Sequence, residues 1–271
     1  MTAPPHADAA REAAALLWRH RCNGTVLDDL PAALRPTDAA QGHAIQAALP
    51  QLAGQRVVGW KIAATSSAGQ AHINVGGPLA GRILSGFLFQ PGATLSLAGN
   101  RMRVAEPEFA FCIGVDLAPR STTYSVAEVL AAVASLHPAF ELPDSRFADF
   151  TRAGQAQLIA DDACCGRFVF GAAAADSWRK LDLPSHRVQG VVRAADGSLR
   201  LARDGTGSAA LGDPRIALAW LVNLLSSLGI TLEAGQFVST GTCMQPLEIA
   251  PGDRVDADFG VLGSLSMQLS V

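Results

Sequence analysis

The sequence predicts an α+β fold, a helical N-terminal part followed by a larger strand-rich body. Three observations carry that prediction. Residues 9–49 are rich in Ala and Leu with charges interspersed, whereas from Arg56 onward short β-prone runs alternate with turn residues. These runs are irregularly connected, which argues against regular βαβ alternation. The 271 residues, 49% hydrophobic, are ample for a sizeable core, and the change of texture after Gly54 divides the chain into a helical region, 1–54, and a β-rich body, 55–271.

In chain order, Ala9 to Arg21 reads as a helix, and Thr37 or Asp38 caps a second running toward Leu49, with Pro50 just past its end. Arg56 to Ala63 is a strand, Ser66 to Ile73 a short helix, and Gly76, Gly77, Pro78 and Gly81 mark a loop. Strands follow at Ile83–Phe89, Thr94–Leu97 and Arg103–Val115. Ser125-Val-Ala-Glu128 is a capping box before a helix over Val129 to Leu136, stopped by Pro138, and Pro138 to Leu142 reads as a strand. Arg203-Asp-Gly-Thr-Gly207 reads as a surface turn. Asp213-Pro214 opens an apolar helix that Gly229 ends, and strands at Phe237–Thr240, Arg254–Phe259 and Ser264–Leu269 close the chain.

Composition narrows the function. A formal charge of −3 gives no basic field for nucleic acid, and no apolar run reaches the ~18–20 residues of a membrane span. Met1 to Asp8 lack the pattern of a signal peptide, so a cytoplasmic protein is expected. The five cysteines are odd in number and without metal-ligand spacing, which fits reduced thiols better than a disulfide framework or a zinc site.

The segment Arg103 to Gly114 carries the strongest chemical signal. Strand alternation puts Glu106 and Glu108 on one face, about 6–7 Å apart, in an otherwise apolar run. Two such carboxylates repel each other and lose solvation on burial, and a hard divalent cation resolves both problems. The competing reading is a solvent-facing strand face. Pro107 between them makes the strand irregular or places it at an edge. Glu141 interrupts the next apolar strand and is placed either to bind metal or to pair with Arg146. Lys61 is one of only two lysines among 21 basic residues, and it stands inside the apolar run Val57 to Ala64. There it must snorkel, pair with a carboxylate, or act as a proton-transfer group, and a structural ion pair is the favoured reading.

Val58-Gly-Trp-Lys-Ile62, Glu106-Pro-Glu-Phe-Ala-Phe111, Glu141 with Ser145-Arg146, Ala160-Asp-Asp-Ala163, Gly212-Asp-Pro214, Trp220-Leu221, Ser239-Thr-Gly241 and Gly252-Asp253 occur in this order. Together they resemble the 2-keto-4-pentenoate hydratase branch of the fumarylacetoacetate hydrolase superfamily, from about Arg56 to the C-terminus. The resemblance implies a helical region packed on a mixed β-sandwich or β-roll body. It also implies Mg²⁺ or Mn²⁺ held by Glu106, Glu108 and Glu141, with a 2-oxo acid chelating the metal and an enolate stabilised by it. Lys61 is then the acid/base, and Thr240, Gly241 and Thr242 lie near the substrate carboxylate. The implied activity is hydration of a small 2-hydroxy-2,4-dienoate, as in aromatic-compound catabolism, by a homo-oligomer.

Four positions depart from the family pattern. Leu79 stands where a loop acid is usual, Ala64 replaces a leucine, and Asp162 and Cys164 replace an amide and a hydroxyl. Asp162 is a candidate to supply the acid lost at Leu79, and Cys164 is a poorer hydrogen-bond partner for substrate. The metal platform is therefore expected intact and the water-positioning groups altered. A 2-oxo acid decarboxylase or acylpyruvate C–C hydrolase on the same platform is the alternative, with a keto-acid-binding protein without turnover as the non-enzymatic one. His72 and His137 lack a lid signature and are left outside the site.

Overall fold

A computed structural model of the chain describes residues 5–271. The helical part is α1 (Pro5–Asn23), α2 (Ala39–Gln46) and α3 (Leu49–Ala53), followed by β1 (Val57–Ala63) and α4 (Ser67–His72). Next come β2 (Leu79–Leu84), β3 (Leu88–Phe89), β4 (Thr94–Ser96), β5 (Val104–Ile113), α5 (Val126–Ala131) and β6 (Val133–Leu142). The remainder is α6 (Gln155–Ala160), β7 (Arg167–Phe170), β8 (Arg187–Arg193), β9 (Leu199–Thr206), α7 (Pro214–Ser227), β10 (Phe237–Thr242), β11 (Leu247–Glu248), β12 (Arg254–Asp258) and β13 (Ser264–Ser270).

Local chemistry sets several of these boundaries. Asp38 caps α2 through Gln41 N–H, Ser66 caps α4 through Gly69 N–H, and the Ser125–Glu128 box opens α5. Asp213 caps α7, with Pro214 in its first turn.

The strands form two mixed sheets. The larger has the order β2-β1-β10-β5-β6-β7-β3, with β11 also on β5, and the smaller has the order β4-β13-β12-β8-β9. One face of the large sheet presents Phe109, Phe111, Phe140 and Trp60 to a core shared with the small sheet (Val188, Val255, Met267) and with α7 (Leu218, Leu221, Val222). The opposite face of β5 carries Glu106, Glu108 and Ala110. A second core joins α1 and α2 to α6 through Leu17, Ile45, Leu158 and Ile159. The helical region thus packs on a helix of the body, near the end of the sheet where the glutamates stand.

Several sequence expectations need correction. Pro50 does not end α2; it sits in the first turn of α3, where its missing N–H costs nothing. The helix after Ser125 stops at Ala131, and Val133 to Leu136 already belong to β6, paired with Ile113 to Phe111. Pro138 lies inside that strand, where cross-strand pairing outweighs local helix propensity. Leu79 to Gly81 are strand rather than loop. Gly81 serves close packing, because a Cβ there would overlap the Asp162 carbonyl oxygen. Arg203 to Thr206 lie in β9, paired with β8, and not in a surface turn. Pro107 is in a central strand and not at an edge. Its carbonyl accepts from Cys243 N–H, so its missing N–H also faces β10, where the register slips between Ser239 and Thr242.

Candidate active site

The pairing of β5 with β6 builds the centre. Glu106 is directly opposite Glu141 and Glu108 opposite Ala139, so the three carboxylates share one face. One oxygen from each lies within 4.8 Å of the others. Glu108 and Glu141 are buried, and Glu106 is half-buried at a cavity wall.

Parallel pairing of β1 with β10, Lys61 opposite Ser239, brings two more groups to this face. Lys61 Nζ lies 3.1 Å from Glu141 Oε1. Ser239 Oγ donates to Glu108 Oε2 at 2.6 Å, and Gly241 N–H donates to the same oxygen at 2.9 Å. Gly241 has φ +94°, and a Cβ there would overlap Thr65, so glycine alone permits this backbone approach.

The electrostatics are those of a crowded anionic cluster. Burial, then Glu141, pushes the Glu106 carboxyl up to about 7, against the pull of Lys61. Burial and the two neighbouring glutamates hold Glu108 well above the usual carboxylate range. Glu141 is raised by burial, with Lys61 opposing. For Lys61, burial is the largest influence and favours the neutral amine, but Glu141, Cys165, Cys164 and Glu106 together outweigh it and keep the ammonium charged. Glu108 Oε1 and Glu141 Oε2 are buried with no hydrogen-bond partner. Two orphaned carboxylate oxygens beside a third carboxylate are a donor set that fits Mg²⁺ or Mn²⁺.

Lys61, Glu106, Cys164, Gly241 and Thr242 line a cavity of about 670 Å³ whose other walls are largely apolar, including Ile62, Ala64, Ile73, Met102 and Phe150. Cys164 reaches it from a strained turn: Asp162, Ala163 and Cys164 all have φ between 53° and 58°. Consecutive left-handed non-glycine residues are costly, roughly 1–2 kcal/mol each, and such strain gathers at functional sites. Burial pushes the Cys164 thiol up to about 12, so it is no thiolate nucleophile.

Two sequence candidates are not brought to the cavity. Asp162 Oδ1 accepts from Arg82 N–H at 2.7 Å and lies outside the cavity lining. Burial raises its carboxyl to about 7. Thr240 Oγ1 donates to the Phe109 carbonyl at 2.9 Å, within the sheet. Glu141 pairs with Lys61 and not with Arg146, which pairs with Asp144. His137 is held by Ser135 and the Gly171 carbonyl, while His72 lines the cavity and meets Phe150 edge-on. Sequence reasoning missed Ser239 as the group that orients Glu108, and Arg101, an exposed cation on the cavity wall.

No protein-family model matches the chain. It is 36% identical over 224 residues to the 2-hydroxyhexa-2,4-dienoate hydratase of Comamonas testosteroni, spanning 82% of this chain and 81% of that protein. The chain belongs to the 2-keto-4-pentenoate hydratase branch of the fumarylacetoacetate hydrolase superfamily. A 4-oxalocrotonate decarboxylase from a Pseudomonas species is 34% identical over 79% of this chain and 78% of its own length. Among solved structures, the 4-oxalocrotonate decarboxylase of Pseudomonas putida G7, complexed with magnesium and adipate, superposes with a TM-score of 0.83 at 24% identity over 97% of both chains. That likeness shows the fold, a helical region on curled mixed sheets. The branch thus contains both hydratases and decarboxylases.

Proposed function

We propose that the chain is a metal-dependent hydro-lyase that adds water to a small 2-hydroxy-2,4-dienoate. The observation that supports this reading most is the Glu106–Glu108–Glu141 cluster at the wall of an apolar cavity, with Lys61 ion-paired to one of its members. Glu106, Glu108 and Glu141 hold Mg²⁺ or Mn²⁺, which when bound supplies Lewis-acid polarisation to a 2-oxo acid.

The chain's own groups do the rest. Lys61 enters the reaction protonated, because Glu141 holds its ammonium, and its Nζ delivers the proton to carbon 5 as the dienol becomes the 2-oxo-3-enoate. The 2-hydroxyl proton returns to the same nitrogen, which then gives a proton to carbon 3 and takes one from the water that adds at carbon 4. Ser239 Oγ and Gly241 N–H fix the Glu108 carboxylate. Thr242 and Cys164 contact the substrate, and the apolar walls exclude water from its tail.

Decarboxylation is the second reading, favoured by the 34% identity to the decarboxylase and by the absence of an acid at Leu79 and Ala64 in a cavity-lining stretch. Incubation with 2-hydroxypenta-2,4-dienoate and Mn²⁺, followed by product identification, decides between them. A 4-hydroxy-2-oxo acid supports hydration. Turnover of 2-oxohex-3-enedioate with carbon dioxide release, and no hydrated product from the dienoate, supports the decarboxylase. Tight 2-oxo acid binding with neither product supports a non-catalytic binder.

Among the described residues no helix is long and apolar enough to cross a membrane. A cytoplasmic location is proposed on the free cysteines, and a homo-oligomer on the family resemblance; sedimentation tests the latter.

A further inference from the structure

A second cavity, about 430 Å³, is lined by three guanidinium groups: Arg21 near the end of α1, Arg146 in the loop after β6, and Arg167 at the start of β7. Among the described residues, Asp144 is the only acid lining it, and it is already engaged. Asp144 pairs with Arg146 and accepts from Arg101 N–H at 2.8 Å. Arg146 is 2% exposed, yet its Nε has no hydrogen-bond partner, and one buried Arg21 nitrogen, Nη2, has none either. Arg167 spends one nitrogen on the Ser96 carbonyl, and Arg21 stacks over Phe87 at 5.0 Å.

Nothing in the proposed reaction uses these groups. Like charges gathered in a partly desolvated cavity repel one another, and burial, then Arg21, pulls Arg146 down to about 10 and lowers Arg167. Orphaned guanidinium donors beside a polar cavity are the complement of an oxyanion, which offers several acceptor lone pairs and matches the planar fork.

We propose that the Arg21–Arg146–Arg167 cavity binds a small oxyanion, a phosphate group or a carboxylate, as a site separate from the active centre. The ligand accepts from the guanidinium groups of Arg21, Arg146 and Arg167 that line the cavity. Its position gives it a mechanical consequence. Leu142, next to Glu141, and Gly166, whose N–H donates to Glu141 Oε1 at 3.4 Å, both line the cavity. A bound oxyanion therefore braces α1 against the backbone that holds Glu141.

The test is calorimetric titration of the full chain with inorganic phosphate and, in a second arm, with succinate, at ionic strength matched with chloride. Saturable binding of either, weakened at least tenfold in both Arg21→Gln and Arg167→Met, supports the site, and the tighter of the two identifies the oxyanion. Two variants are used so that misfolding of one does not decide the outcome. Absence of saturable binding to wild type, or binding that survives both substitutions unchanged, as an anion held at the glutamate cluster would, overturns the proposal.

Discussion

Lys61 Nζ and Glu141 Oε1 form an ion pair of 3.1 Å in which both side chains are sealed from solvent. A buried pair of this kind is expensive to break, because removing one partner strands the other charge. Lys61→Met is therefore expected to destabilise the protein by about 3–5 kcal/mol without metal, measured by urea unfolding. Lys61→Arg keeps the charge but cannot release a proton at neutral pH. Its stability should stay near wild type while kcat falls by about 10²-fold or more. Equal activity of Lys61→Arg and wild type would remove the lysine from the proton transfer.

Ser239 reaches Glu108 at 2.6 Å, and Gly241 N–H shares the load. Ser239→Ala is expected to weaken Mn²⁺ binding by about 10–100-fold, the usual effect of losing a group that orients a ligand. Titration calorimetry checks this, and unchanged affinity would mean that the backbone N–H alone suffices.

The metal-free protein should lose stability as pH rises. Burial raises the folded Glu106 carboxyl from the usual carboxylate value, 4.5, to about 7, and raises Glu108 and Glu141 as well. The folded state then binds more protons than the unfolded state between these values, so stability is full below about 4.5 and falls as pH climbs through about 7. Melting temperatures across that window, with chelator and with Mn²⁺, test it. The decline should shrink with Mn²⁺, since metal needs the deprotonated carboxylates.

Asp162 holds Arg82 N–H in a left-handed conformation, φ 58°. Asparagine tolerates that conformation and retains an acceptor oxygen. Asp162→Asn should keep stability and activity within a few-fold, whereas Asp162→Ala should cost about 1–3 kcal/mol by leaving a buried donor unpaired. Loss of activity in Asp162→Asn with stability intact would make Asp162 the catalytic acid instead.

The glutamate centre was legible because strand alternation is strict: Glu106 and Glu108 had to share a face wherever β5 lay. The pairing that brings Glu141 opposite Glu106 is a tertiary fact, and the sequence left open whether Glu141 met metal or Arg146. Pro138 misled because proline is a strong local stop signal, yet here it is carried within a strand by its neighbours. Ser239 reads as a strand residue and Gly241 as a group near the substrate carboxylate, because nothing local reveals that β10 lies against β5 and turns toward Glu108. Arg21 and Arg146 are 125 residues apart, and only the packing of α1 on the body lines one cavity with both.

The most direct test of the central claim is the loss of dienol ultraviolet absorbance from 2-hydroxypenta-2,4-dienoate, followed with and without Mn²⁺ in wild type and in Glu106→Ala. Conversion by wild type that requires Mn²⁺, with Glu106→Ala folded but inactive, is the expected result. Conversion that persists under chelation, or that Glu106→Ala sustains at the wild-type rate, would contradict a metal-dependent lyase built on Glu106, Glu108 and Glu141.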